Sequence, residues 1–284
     1  MSFILPSSFT LSCESEYGQL KKVLLCPPVF MQISEVINET QKHYVQENIN
    51  VEIALKQHDE FVNVLKEHQV EVFFLPALPD YPEQVFTRDI GFTIGKKVFV
   101  SEMGCNIRKG EELILKKWLK QYKFSHLELT KERIEGGDVL VDGKNLYIGV
   151  SNRTSQAAIT QLQTFLPDYR LHRIPFKKEY LHLDCVFNIV SPDEALVYSK
   201  AFSNKELQLL ASHYDLIELS ESEQFSLGTN ILSLGNKVIC SLPQNREINR
   251  KLSQRGFKII EVDFSEIIKS GGSFRCCSMP LVRK

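Results

Sequence analysis

From residue 22 to residue 281 the chain repeats one pattern of strand, turn, strand, helix and strand, which confines it to architectures that stack or close copies of one unit. The second copy is the clearest. It has an apolar stretch from Phe86 to Thr93, a Gly95-Lys96-Lys97 turn, Val98 to Ser101, a helical run from Glu111 to Tyr122, and Phe124 to Leu129. The third runs from Glu135 through the turn Asp142-Gly143-Lys144-Asn145 to Leu146-Tyr147-Ile148-Gly149, then a helix from Gln156 to Phe165 and a strand from Tyr169 to Ile174. The fourth spans Leu181 to Leu219, with Ser191-Pro192-Asp193 as its turn and Lys205 to His213 as its helix, and the fifth spans Phe225 to Val262 and turns at Gly235-Asn236. The first copy is split. Its strand Lys22 to Cys26, helix Val51 to His68 and strand Val70 to Leu75 open the chain, and Arg275 to Leu281 would supply its missing first strand.

Turn dipeptides between alternating apolar runs signal hairpins, and the helices carry apolar residues at i, i+3, i+4 spacing, as in Leu113, Leu115, Trp118 and Leu119. Each unit is therefore a small mixed sheet with a helix on one face. No Pro- or Ser-rich linker separates the five, so an α/β ring closed by pairing the last strand with the first unit is expected, one domain spanning residues 1–284. The net charge of -1 gives no general basic surface for nucleic acid or an anionic membrane. The opening Met1-Ser2-Phe3-Ile4-Leu5-Pro6 lacks a basic leader, and no apolar stretch reaches membrane-spanning length, so a cytoplasmic protein is expected. Seven scattered cysteines, with no CxxC pair, indicate neither a disulfide framework nor a structural zinc site.

Aligning the copies on their turns places Asp89, Asp138, Asp184, Asn230 and Cys276 at nearly the same depth, just inside the first strand of each unit. In a ring these five face the axis. One Asp near a turn is ordinary surface solvation; three with an asparagine and a cysteine at one repeat position are not. Arg88, Glu135, Gly136-Gly137 and His182 stand in the same stretches, and alternation along Leu181 to Phe187 puts His182 and Asp184 on one face. Near the end, Ser270-Gly271-Gly272-Ser273-Phe274-Arg275-Cys276-Cys277-Ser278-Met279-Pro280 joins a glycine pair to two cysteines. If that segment is a strand they point oppositely, and only one can serve a given site. Carboxylates crowded around a thiol hold its pKa up unless a cation joins them, so the ligand should be cationic. A planar guanidinium, with five N–H donors, suits opposed carboxylates.

Phe86-Thr87-Arg88-Asp89, Glu135-Gly136-Gly137-Asp138, His182-Leu183-Asp184 and the Gly271-Gly272 to Cys276 to Pro280 ending resemble the guanidine-modifying enzymes of the pentein superfamily: arginine deiminases, dimethylarginine dimethylaminohydrolases and amidinotransferases. The resemblance covers nearly the whole chain and implies a five-bladed αβ propeller with an axial site. By position it makes Cys276 the nucleophile and Cys277 a bystander, His182 the general acid and base, and Glu135 the carboxylate touching substrate and His182. Asp89 and Asp184, with Asp138 beside them, would hold the guanidinium. Arg153 would grip the substrate carboxylate, Arg108 falls where a second such arginine is found, and Glu83 where a further acid lies near the substrate. Thr87-Arg88-Asp89 is closer to arginine deiminases than to the Glu-Asp pair of dimethylarginine hydrolases, and Arg275 stands where His is common. Chain length favours the hydrolase of methylated arginines, which implies a covalent thiouronium, citrulline as product and no metal or organic cofactor. Arginine deiminase, amidinotransferase and a non-catalytic ribosome-binding pentein are the alternatives. The expected partner is a small cationic guanidino compound, and the oligomeric state is open, a homodimer included.

Overall fold

A computed structural model describes residues 9–129 and 132–284, so the Met1 to Pro6 stretch lies outside the described residues. Strand β1 (Leu20–Leu25) is followed by helices α1 (Glu39–Tyr44) and α2 (Val51–Glu67) and strand β2 (Glu71–Phe74). Three hairpin-and-helix units come next. They are β3 (Gly91–Ile94), β4 (Lys97–Val100), α3 (Glu111–Gln121) and β5 (His126–Glu128); β6 (Val139–Asp142), β7 (Asn145–Val150), α4 (Gln156–Phe165) and β8 (Arg170–Pro175); and β9 (Phe187–Ile189), β10 (Glu194–Val197), α5 (Asn204–Ala211) and β11 (Asp215–Glu218). After the short α6 (Glu221–Phe225), β12 (Leu232–Gly235), β13 (Val238–Ser241), α7 (Arg246–Gln254) and β14 (Lys258–Glu261) form the fifth unit, and β15 (Met279–Arg283) follows.

The strands make five three-stranded sheets, in the order β15-β1-β2, β3-β4-β5, β6-β7-β8, β9-β10-β11 and β12-β13-β14. Within each, the middle strand runs antiparallel to the first and parallel to the third, which is why a helix must carry the chain back between them. Val23 pairs with Pro280 and Leu24 with Met279, so the last strand completes the first sheet and the ring closes as the repeat demands. The helices start where the sequence supplies a cap: Asn50 accepts from the Ile53 amide and Ser155 from the Ala158 amide. Ala158, Ile159 and Leu162 of α4 then bury against Leu146 and Ile148 of β7, each large side chain contributing about 1.5–3 kcal/mol. No helix among the described residues is long and apolar enough to cross a membrane.

Three predicted strands begin later than the alternation suggests. The stretches from Phe86, Leu181 and Arg275 start with a tight turn before β3, β9 and β15, seen in the bonds from Asp89 N to Phe86 O, Cys185 N to His182 O and Ser278 N to Arg275 O. A chain that reaches the axis and reverses into a hairpin has to bend there, and one helical turn does it within three residues. Phe225 likewise ends α6, which Ser220 caps through the Glu223 amide, rather than opening a strand. The segment before β1 touches three sheets in turn: Ser12 bridges to Val282, Cys13 to Gly95 and Ser15 to Asp142, and Glu16 beside them is buried.

Candidate active site

The axial turns bring the predicted residues together. Glu135, next to the Gly136–Asp138 turn, shares a hydrogen bond with His182 between Oε2 and Nε2 at 2.7 Å, both side chains being fully buried. The other imidazole nitrogen, Nδ1, lies 3.7 Å from Asp89 Oδ1, and neither atom has a hydrogen-bond partner among the described residues. Cys276 Sγ receives the Asn230 side-chain amide at 3.0 Å and lies 3.5 Å from Asp184 Oδ2. Asn230 Oδ1 also accepts from the amides of Ser273 and Cys276, so one residue fixes the C-terminal loop and donates to the sulfur. Cys276 and Cys277 both belong to the apolar cluster around Val23, Leu25 and Phe61 and lie in one turn rather than on a strand, but among the described residues only the Cys276 thiol meets Asn230 and Asp184.

Two glycines let these groups approach. A Cβ on Gly137 would lie 2.6 Å from His182 Nδ1 and 3.0 Å from Asp89 Oδ1, and one on Gly272 would meet the Phe86 ring and stand 3.0 Å from Cys276 Cβ. The His182 contact at Gly137 and the Phe86 contact at Gly272 are closer than a Cβ tolerates, so any larger residue would have to displace those rings. Asp89, Glu135 and His182 each offer an atom within 4.8 Å of the others, a spacing that suits a shared cation, whether a metal ion or a guanidinium.

The charges are distributed unevenly. Burial works against a charged His182, but Asp89, the Glu135 hydrogen bond and Asp138 outweigh it and raise the imidazole to about 9. Burial also opposes the Glu135 carboxylate, and its bond to His182 with the nearby Arg153 and Arg108 charges brings it below the usual carboxylate range. The Cys276 thiol is pushed well up, by burial first and then by Asp184 and Asp89. By themselves these groups therefore give an imidazolium and a neutral thiol at neutral pH.

The remaining candidates divide. Asp138 accepts from Ser151 Oγ at 2.6 Å and from the Leu183 amide at 2.8 Å, so it braces the turn carrying His182; burial raises it to about 6. Glu83 accepts from Gln41 Nε2 and Ser270 Oγ, tying α1 to the C-terminal loop, and burial raises it to about 7. Arg153 reaches Glu135 Oε1 at 3.4 Å and the Ile37 carbonyl at 3.2 Å, and borders a cleft of about 300 Å³ with Asn38, Glu39, Lys178 and Tyr180. Arg108, expected at the substrate carboxylate, is 2 % exposed and bonded to Asp89 and Glu111. Glu16, Glu111 and Gln41 carry no motif, so nothing in the sequence marks them as neighbours of the site; Arg275 stands out there only as a departure from the family pattern.

A five-sheet ring with Cys, His and carboxylates meeting at its axis is the pentein architecture. The family model described as N,N dimethylarginine dimethylhydrolase, eukaryotic, matches residues 28–283, and the chain belongs to that family. It is 53% identical over 271 residues to the uncharacterized protein YkgA of Bacillus subtilis (strain 168), covering 95% of each. It is 26% identical to the N(G),N(G)-dimethylarginine dimethylaminohydrolase of Pseudomonas aeruginosa, covering 80% of this chain and 87% of that one. The crystal structure of the N-terminal domain of ArgZ, a cyanobacterial arginine dihydrolase captured with substrate bound to a point mutant, superposes with a TM-score of 0.86 at 25% identity, covering 92% of this chain and 98% of that one.

Proposed function

We propose that this chain, as one catalytic domain, hydrolyses a C–N bond of the guanidinium of a free arginine-type amino acid, Nω-methylated arginine first, giving citrulline and an amine. The observation that carries the reading is the convergence of Cys276, the His182–Glu135 pair and the carboxylates Asp89 and Asp184 on one buried axis. The family match across most of the chain supports it, and so do relatives that act on arginine or its dimethyl derivative.

A guanidinium entering between Asp89 and Asp184 places a fixed positive charge beside Sγ, which lowers the thiol pKa so that its proton passes to solvent and a thiolate forms where none existed before. The thiolate adds to the central carbon. His182, already protonated, gives its proton to the departing nitrogen as the C–N bond breaks, leaving an S-linked thiouronium and a neutral imidazole. Water then adds to the same carbon as His182 takes one of its protons, and the C–S bond breaks as the remaining hydroxyl proton passes to the sulfur, releasing the ureido product and restoring the thiol. Glu135 holds the imidazole in place through both transfers. Arg153 lines the cleft, and an α-carboxylate seated there would meet its charge.

A second reading, hydrolysis of unsubstituted arginine, is favoured by Thr87-Arg88-Asp89 and by the likeness to ArgZ. An end-point assay over arginine, Nω-methylated arginines and agmatine, measuring ureido product and released amine together, tests both. Turnover of methylated arginine above arginine is expected; turnover of agmatine alone would reject the assignment and the carboxylate grip.

A further inference from the structure

Three buried arginines gather around Glu16, and one of them lacks an acid. Arg275 gives Nε and Nη2 to the two oxygens of Glu16, at 3.2 and 3.1 Å, and Nη1 to Asp184 Oδ2 at 2.6 Å. Arg88 gives Nε to the Ser278 carbonyl at 2.9 Å, and its Nη2 lies 3.7 Å from Glu16 Oε2. Arg283, on β15, gives Nη1 to the carbonyls of Gly18 and Ser233, at 2.7 and 2.9 Å. None of the three is more than 4 % exposed.

What is left over has a definite shape. Nε and Nη2 of Arg283, and Nη2 of Arg88, have no hydrogen-bond partner among the described residues. Nε and Nη2 form the edge with which a guanidinium grips an acid through two parallel N–H bonds, and on Arg275 that same edge holds Glu16. On Arg283 it is unpaired. Glu16 and Asp184 are the carboxyl groups that pair with the trio among the described residues, so with both ionised one positive charge still remains.

The three arginines share one field. Burial opposes a charged Glu16, yet Arg275, Arg88 and Arg283 together bring it to about 2; burial, with the charges of Arg275 and Arg283, takes Arg88 down to about 10 against the pull of Glu16. Cys13 follows Ser12, whose carbonyl accepts the Arg283 amide, but burial pushes its thiol up to about 12, so it does not supply the missing charge. Arginine keeps its proton, and a buried charge without a partner is strongly destabilising. Buried donors in native proteins are met by protein, water or an ion, and water alone would leave this charge uncompensated.

We propose that one small monovalent anion, a halide of chloride size, binds in the fork formed by Nε and Nη2 of Arg283, in the cluster that Arg283 forms with Arg88, Arg275 and Glu16. One charge is left over, which calls for a monovalent ion, and two N–H groups of one buried guanidinium converge on a single atom, which calls for a small one. Arg88 and Arg275 directly precede Asp89 and Cys276 in the chain, and the Arg88 amide donates to the Cys276 carbonyl at 3.0 Å, so the ion would balance charge next to the catalytic residues without touching substrate. The site does not depend on the reaction proposed above.

The test uses sodium bromide on the full chain in halide-free buffer, with ionic strength held constant by sodium gluconate, whose anion is too bulky for a buried fork. Crystals grown with bromide should show an anomalous-scattering peak within hydrogen-bond reach of both Nε and Nη2 of Arg283. In solution the melting temperature should rise saturably, by about 3 °C at ten times the half-saturating concentration. Arg283→Gln removes the unpaired charge, so it should fold and melt with no saturable response to bromide. Glu16→Gln adds to the unpaired charge and should lower the half-saturating concentration by about threefold or more. If neither variant folds, the wild-type bromide crystal decides. Ordered water and no bromide at the fork would overturn the proposal. So would a saturable response that Arg283→Gln retains, because the halide would then bind elsewhere, as at Arg153.

Discussion

Glu135→Gln tests how the acid–base pair is built. His182 moves from its ordinary value of 6.5 to about 9 against the penalty of burial, a difference worth ~3 kcal/mol in favour of the imidazolium. Asp89, Glu135 and Asp138 share that effect, and Glu135 is the one hydrogen-bonded to the ring. Removing its charge while keeping its shape should forfeit about 1–2 kcal/mol, about a five- to thirtyfold loss of proton affinity. The assay is kcat/KM against pH on the free enzyme, where the basic limb reports loss of the imidazolium needed to protonate the leaving nitrogen. Wild type should fall away near pH 9, and the variant about one pH unit lower, with kcat/KM down about tenfold at pH 9. Stability follows with a definite sign. Because the folded state binds this proton more tightly, its stabilisation is full below 6.5 and is lost as pH rises through about 9. The variant should therefore melt below wild type at pH 6 and approach it by about pH 10. A uniform drop in rate with the basic limb unmoved would refute the reasoning, since Glu135 would then act on the substrate and not on the imidazole.

Cys276→Ser should lose turnover by several orders of magnitude while Cys277→Ser keeps most of it, because only Cys276 meets Asn230 and Asp184; an inactive Cys277→Ser enzyme with an active Cys276→Ser one would reverse the assignment. Arg153→Ala should raise KM for arginine-type substrates about 10- to 100-fold, as loss of a charge-assisted bond to a carboxylate would, with little change in the rate at which 2-chloroacetamidine, an amidine that has no carboxylate, alkylates Cys276. An equal loss in both measurements would place Arg153 at the guanidinium end instead.

The periodic parts of the molecule were legible in the sequence. The helix from Gln156 to Phe165 has the predicted bounds, and each hairpin sits on its predicted turn, because period and turn chemistry are local. The axial residues were legible as a set, since the repeat itself aligns Asp89, Asp138, Asp184, Asn230 and Cys276. Their local shape was not. Leu181 to Phe187 alternates like a strand, yet the chain must bend at the axis, and Leu183–Cys185 forms a helical turn there. Nor was the company of the arginines. Arg108 has the position of a substrate ligand by sequence, and no local pattern shows that Glu111, an ordinary first-turn helix glutamate, closes on it in the core. Glu16 lies 259 residues from the side chain it binds, and no local pattern announces such a pair.

The most direct test of the chemistry is the mass of the Cys276 peptide from enzyme acid-quenched during turnover, first with arginine and then with Nω,Nω-dimethylarginine. Loss of ammonia from one and dimethylamine from the other leaves the same S-linked thiouronium, still carrying the amino-acid chain. Identical adducts on Cys276 are therefore expected from both substrates. An adduct holding only the amidino carbon and its nitrogens would mean that the amino-acid chain leaves first and that the enzyme transfers amidino groups, and an adduct on another cysteine, or none, would contradict Cys276 as the nucleophile.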